Sequence, residues 1–167
     1  MATNFAEDIP RDLANRAHAW TSMTPEKRGE QEVSGYASTL TNDYETLAAV
    51  AAKAPDPVEA LARLDAEFPR YREGYRRRFL VYLGRRSRCA STMVTGGSGF
   101  NTKRNDKANA AEHKASEALT DFRKRALAAI HKAVRPDLAP IMSGDGDAVA
   151  RLEAEIAKLE AFQIGMK

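Results

Sequence analysis

The feature that most restricts the fold of this chain is the return of apolar residues at steps of three and four over long runs. Val33, Tyr36, Leu40, Tyr44, Leu47, Val50 and Ala54 make one run. Ala108, Ala111, Ala115, Leu119, Phe122, Ala126, Ile130 and Val134 make another. That spacing puts each set on one side of an α-helix and cannot be laid along a strand, whose faces alternate at every residue. Between them, Val58, Leu61, Leu64 and Phe68 begin a third stripe, and Tyr71, Tyr75, Phe79, Tyr82 and Leu83 follow beyond Pro69. Pro69 reads either as a kink or as the first turn of a new segment. Ile9, Leu13, Ala17 and Trp20 give a short amphipathic helix over residues 8–22. Val149, Leu152, Ile156, Leu159 and Phe162 recur at near-heptad spacing in a last helix from Asp147 to about Met166. That helix fits a coiled-coil arm or a partner for the preceding helix. The expected fold is all-α, a bundle of five to six helices with a glycine-rich loop between two of the longest.

Capping and breaking residues agree with this division. Thr24-Pro25 reads as an N-cap and first turn, with Glu26 suiting the positive helix end. Gly35 is the weak spot of the helix that follows. Pro55-Asp56-Pro57 stops that helix and supplies a cap and first turn for the next. Pro136 ends the long fourth stripe, and DLAPIMSGDGD is a connector rich in turn formers. The expected organisation is a helical domain over residues 1–140 and a C-terminal helix over 144–167, packed on the domain or dimerising. No apolar run approaches the roughly 20 residues of a membrane span. The first ten residues, MATNFAEDIP, lack the apolar stretch of a secretory signal. Cys89 is the single cysteine, which leaves no intramolecular disulfide and no multi-cysteine metal site. A cytoplasmic protein without a membrane partner is expected.

Charge is unevenly spread. From Arg70 to Lys107 there are eleven bases against two acids, Glu73 and Asp106, a net of +9, while the rest of the chain carries fifteen bases against twenty-one acids. Such asymmetry suits a polyanion or an acidic partner. Within this window arginines alternate with Tyr75, Phe79 and Tyr82. Bases can stack on such aromatics, but a core stripe flanked by snorkelling arginines is the preferred reading.

The densest chemistry lies in residues 85–107, RRSRCASTMVTGGSGFNTKRNDK. Three glycines in four positions allow unusual backbone torsions and close approach, in a short hairpin or an irregular loop. A glycine loop leading into a helix presents backbone N–H groups and a favourable dipole to an anion. Ser91, Thr95, Ser98 and Asn101 add donors around Gly96 and Gly97, with Thr92 beside them. Arg85, Arg86, Arg88, Lys103, Arg104 and Lys107 add charge. The Walker pattern is absent and no strand precedes the loop, so a P-loop hydrolase is excluded, and the dinucleotide fingerprint fails for the same reason. His18, His113 and His131 form no dense metal-ligand set and read as surface or packed residues. Cys89 reads as a small buried hydrophobe rather than a thiolate. No catalytic residue, metal or cofactor is assigned.

Several of these residues also form a pattern. Ser87-Arg88-x-x-Ser91-x-Met93-Val94-Thr95-Gly96, then Phe100-Asn101, then Arg104-Asn105-x-Lys107-x-Asn109, resembles a motif of small helical proteins encoded by phages, plasmids and other mobile elements. A distal Lys158-Leu159-Glu160-x-x-Gln163-x-x-Met166-Lys167 resembles the close of their helical part, so the likeness spans roughly residues 70–167. In that group the chain continues past the Met-Lys pair, whereas here it stops at Lys167. The resemblance implies a setting, an accessory protein of a mobile element, and brings no activity or catalytic residue with it.

The leading expectation is a non-enzymatic protein that holds the phosphate backbone of DNA or RNA on the basic loop region. The first alternative is a counter-defence inhibitor, anti-CRISPR or anti-restriction, that binds a host nucleoprotein or its nucleic-acid channel. A metal-dependent nuclease using His113 comes third. A homodimer through the last helix is a further expectation.

Overall fold

In a computed structural model of the chain, residues 4–138, 146 and 148–165 are described. Six α-helices and two 3-10 turns, with no strand, occur among them. The helices are α1 (Arg11–Ala17), α2 (Pro25–Ala51), α3 (Pro57–Arg86), α4 (Thr92–Thr95), α5 (Thr102–Val134) and α6 (Ala148–Gly165). The chain divides into two units, residues 1–135 and 136–167. The second holds the 3-10 turn Pro136–Leu138 and α6. Most of the expected connector, with Asp147, Met166 and Lys167, lies outside the described residues.

Three helices of 27, 30 and 33 residues build the first unit. Gly74 of α3 faces Phe122 of α5, and Arg86 of α3 meets Glu112 of α5, so these two helices run antiparallel. Tyr36 of α2 lies against Tyr75 and Phe79, while Tyr44 meets Phe68, so α2 and α3 are antiparallel as well. α3 is therefore central, and its aromatic ladder forms the core. Tyr71, Tyr75, Phe79 and Leu83 are buried. The core reading of these aromatics holds, and their rings are taken up by α2 and α5.

Three expectations are corrected, and of the two readings of Pro69 the one that starts a new segment fails. The stripe at 8–22 is a 3-10 turn (Phe5–Asp8), then α1, which begins only after Pro10 fixes an extended entry and stops at His18. Trp20 lies beyond it and is 58% exposed. On α3, Val58 and Leu61 face solvent, and Ala60 and Leu64 take the core side. Pro69 does not divide α3, which is continuous from Pro57 to Arg86. Pro69 and Asp65, whose carbonyl it leaves without a donor, are both exposed, so water can satisfy that group. Flanking Phe68 and Tyr71 hold the helix through ring contacts with Tyr44 and Phe122. Finally, Thr24 starts α2 without a side-chain cap, whereas Asp56 caps α3 as expected, accepting from the Glu59 amide at 3.0 Å.

Two glycines set helix approach. At Gly29 a Cβ would lie 2.7 Å from the backbone nitrogen of Asn15 and 2.9 Å from the carbonyl carbon of Ala14, so α1 rests directly on the α2 backbone. At Gly74 a Cβ would collide with the tip of the Phe122 ring, over which the Arg78 guanidinium sits at 3.9 Å. Gly35 has nothing within 4 Å of its missing Cβ and a negative φ. Gly29→Ala and Gly35→Ala should therefore diverge in urea denaturation. The first should lose about 1–2 kcal/mol, overpacking outweighing the gain in helix propensity. Gly35→Ala should gain about 0.5–1 kcal/mol. Equal midpoints for the two would contradict the packing of α1 on α2.

Candidate nucleic-acid interface

The glycine loop stands where α3 ends and α5 begins, beside the turn that enters α2. Between α3 and α5 the backbone is fixed by short side chains. The Ser91 hydroxyl caps α4, accepting from the Met93 amide at 3.3 Å, and the Thr95 hydroxyl donates to the Ser91 carbonyl at 3.0 Å. Asn101 caps α5 by accepting from the Arg104 amide at 2.9 Å. Asn105 reaches back to accept from the Ala90 amide at 2.8 Å, tying the segment after α3 to the first turns of α5. The Ser91 amide donates to the Trp20 carbonyl at 2.8 Å, which ties the same segment to the α1–α2 turn. Gly96 (φ 79°, ψ 158°) and Gly99 (φ 72°) occupy torsions that side chains disfavour, and they carry the chain from α4 round to α5. The expected break is thus one helical turn followed by an irregular glycine turn.

These connections leave an open groove of about 880 Å³. Of the residues singled out in the sequence, Arg85, Arg88, Thr95, Gly96, Ser98, Asn101, Arg104 and Lys107 line it. Gly97 and Lys103 are exposed beside it. Ser91 serves as a cap, and Thr95 and Asn101 spend a hydroxyl and an amide oxygen on the loop itself, which accounts for the run of polar residues. Trp20 and Phe100 also line the groove, and no acid does. Trp20 had been placed on a helical stripe. What brings it here is the Ser91–Trp20 backbone bond, a contact across 71 positions that no local pattern reveals.

Arg86 is the exception among the cations. It turns away from the groove, donating to Glu112 at 2.9 Å and to His18 Nδ1 at 3.5 Å. His18 Nε2 lies 3.2 Å from Glu32 Oε1, which also accepts from the Tyr82 hydroxyl at 3.2 Å. Burial, aided by the charge on Glu32, pushes the Tyr82 phenol up to about 12. Burial and the Arg86 charge hold His18 below its ordinary value against the pull of Glu32. A neutral ring accepting from Arg86 and donating to Glu32 satisfies both contacts. Cys89 is buried, and burial pushes its thiol up, with Glu112 adding to the shift, so it has no thiolate character. His113 lies outside the groove lining, exposed and 3.3 Å from Glu117. No group of three or more metal-ligating side chains occurs among the described residues, and none of their helices is long and apolar enough to cross a membrane.

The His18 contacts have a pH signature. The unfolded chain takes up this proton near the ordinary 6.5, and the folded chain only at lower pH, so the unfolded state binds more protons in between. The stabilisation is complete above 6.5 and is lost as the pH falls below it. His18→Gln should flatten the decline of stability just below that value in denaturation series at several pH values. An unchanged slope would place the titration elsewhere.

Comparisons with protein-family models, with curated proteins and with solved structures find no match to this chain.

Proposed function

We propose that this protein binds nucleic acid through its phosphate backbone, held in the groove between the end of α3 and the start of α5. What carries the reading is the way the basic window divides. Four of its five early arginines have partners inside the first unit, and only Arg70 is exposed without one among the described residues. Arg72 pairs with Asp8, Arg76 donates to the Asp8 carbonyl, Arg77 approaches Glu73, and Arg78 donates to the Gly74 carbonyl. From Arg85 onward the pattern reverses. Arg85, Arg88, Arg104 and Lys107 share the groove, and none makes a salt bridge or side-chain hydrogen bond with a described residue. A recess lined by four cations and no acid repels itself when empty and attracts a polyanion.

The start of α5 adds to this. Its first turn contains no acid, and Lys103 and Arg104 stand at the positive end of the helix dipole, with Lys107 in the turn that follows. Cations there oppose the dipole by about 0.3–1 kcal/mol each. A phosphate is favoured by the dipole and the cations together. The sequence carries no established base-reading module, so affinity should be dominated by charge. In this reading the phage or mobile-element motif holds the site: Arg88, Arg104 and Lys107 are the contacts, and Ser91, Asn101 and Asn105 build the loop that presents them.

Binding of short oligonucleotides, followed by anisotropy across a salt series, tests the reading. Four neutralised phosphates should give log K falling with log salt at a slope of about −3 on a single strand. Arg88→Ala, Arg104→Ala and Lys107→Ala should each weaken binding and reduce the slope by about 0.7. Arg86→Ala should lower the melting temperature and leave the slope unchanged. No binding at low salt would overturn the proposal and point to an acidic protein partner, as a counter-defence inhibitor would have.

A further inference from the structure

We infer that the groove takes single-stranded nucleic acid, with an unpaired base stacked on Trp20; this rests on the backbone-binding reading and adds the class of strand. Trp20 is the only tryptophan in the chain, and at 58% exposed it is among the more exposed of the large apolar residues of the first unit. An indole left in water forgoes much of the stabilisation its burial would bring. Its position is set from two sides. The His18 amide and the Thr21 and Ser22 amides fix the turn around it through bonds to Asn15 and His18, and its own carbonyl takes the Ser91 amide at 2.8 Å. The Trp20 backbone is thus fixed at the wall of a recess that its residue lines together with Arg85, Arg88, Arg104 and Lys107.

An aromatic face beside a run of cations is the arrangement by which single strands are held without regard to sequence: phosphates follow the charge and a base lies on the ring. A duplex offers phosphates but keeps its base faces stacked on one another, so it would leave Trp20 unused. The partners also differ in what they can give an indole. A base supplies a π-face, whereas an acidic peptide supplies carboxylates that the cations could take but the ring could not. Phe100, half-buried in the same lining, offers a second apolar surface next to the glycine turn. The groove volume of about 880 Å³ leaves space for more than one nucleotide. The chemistry shared by the two kinds of strand is an unpaired base with its phosphates.

The lone tryptophan reports on its own contact. The full-length protein would be titrated at low salt with dT12, rU12, a 12-unit abasic deoxyribose-phosphate strand, a 12-base-pair duplex and poly-glutamate, reading tryptophan fluorescence and competition against a labelled strand. Expected are quenching by dT12 or rU12, weaker binding of the abasic strand without quenching, and a preference for single strand over duplex. Trp20→Ala should bind dT12 on the order of 10- to 100-fold more weakly, with Trp20→Phe in between. The melting temperature of Trp20→Ala should stay near that of the parent, since the ring is outside the core. If Trp20→Ala binds dT12 like the parent while Arg88→Ala and Arg104→Ala lose it, stacking is overturned and backbone binding stands. Duplex binding equal to that of dT12 also overturns the inference alone. Failure of every nucleic acid overturns both readings, as does poly-glutamate binding more tightly than dT12.

Discussion

The first unit depends on one repeated arrangement: a carboxylate shared between a tyrosine and a nitrogen donor, an arginine at Asp43 and Asp8 and the neutral His18 ring at Glu32. Asp43 accepts from the Tyr71 hydroxyl and takes both arms of Arg123, joining α2, α3 and α5. Asp8 accepts from the Tyr36 hydroxyl and from Arg72, joining the N-terminal turn to α2 and α3. Glu32 accepts from Tyr82 and His18, joining α2, α3 and the end of α1. A buried phenol needs an acceptor and a buried carboxylate needs positive partners, so each group answers the demand of the other. Burial alone would raise the Asp8 carboxyl, yet the hydrogen bonds from Arg72 and Tyr36, with the charges of Arg72 and Arg76, hold it below its ordinary value. Burial and the Asp43 hydrogen bond push the Tyr71 phenol well up. The aromatic ladder supplies the bulk of the core, and these shared carboxylates set its register.

That arrangement also decides what is left for binding. Each carboxylate turned inward commits a neighbouring cation to the core, and the supply of such acids ends along α3. Beyond Glu112, which engages Arg86, no acid among the described residues pairs with Arg85, Arg88 or Arg104. The basic window is thereby divided, with Arg72 and Arg76 engaged by the N-terminal turn and Arg85, Arg88, Arg104 and Lys107 sharing the groove without an acid in its lining. Net charge over a window could not show this, because Arg72 and Arg88 count equally in it. Their partners, Asp8 for one and no described residue for the other, lie far outside any local stretch.

The same distinction separates what could be read in the sequence from what could not. Helix identity and the buried side of α2, α3 and α5 follow from apolar spacing, which is local and survives Pro69. The start of α3 at Asp56-Pro57 and the stop of α5 before Pro136 are equally local, while α2 ends at Ala51, short of Ala54 and Pro55. The fates of Trp20, Val58 and Leu61 were not legible. Trp20 continues an apolar period past the end of α1, while Val58 and Leu61 stand on the solvent side of a stretch whose core side is taken by Ala60 and Leu64, a choice of face that their spacing alone does not make. Arg86 was misjudged for a related reason: within its run of arginines nothing marks it off, and only Glu112 and His18, 26 and 68 positions away, draw it inward. The hydroxyl-rich stretch was legible as a special loop, but Ser91, Thr95 and Asn101 turn out to hold the backbone.

The loop chemistry then explains why a bare cationic end is tolerable at all. Arg88, Arg104 and Lys107 repel one another across the groove, and the α5 dipole adds to that repulsion. The opposing forces are local and directional: the Asn101 cap, the Asn105–Ala90 bond, the Ser91–Trp20 bond, and two glycines that accept positive φ at little cost. Each hydrogen bond contributes only about 0.5–1.5 kcal/mol, so the set holds the cations in place without neutralising them. A ligand phosphate would remove the repulsion and leave those bonds intact. In the proposed reading the favourable charge interaction comes from outside the chain, while the loop geometry is already built by Ser91, Asn101 and Asn105, whose side chains bond the protein's own backbone.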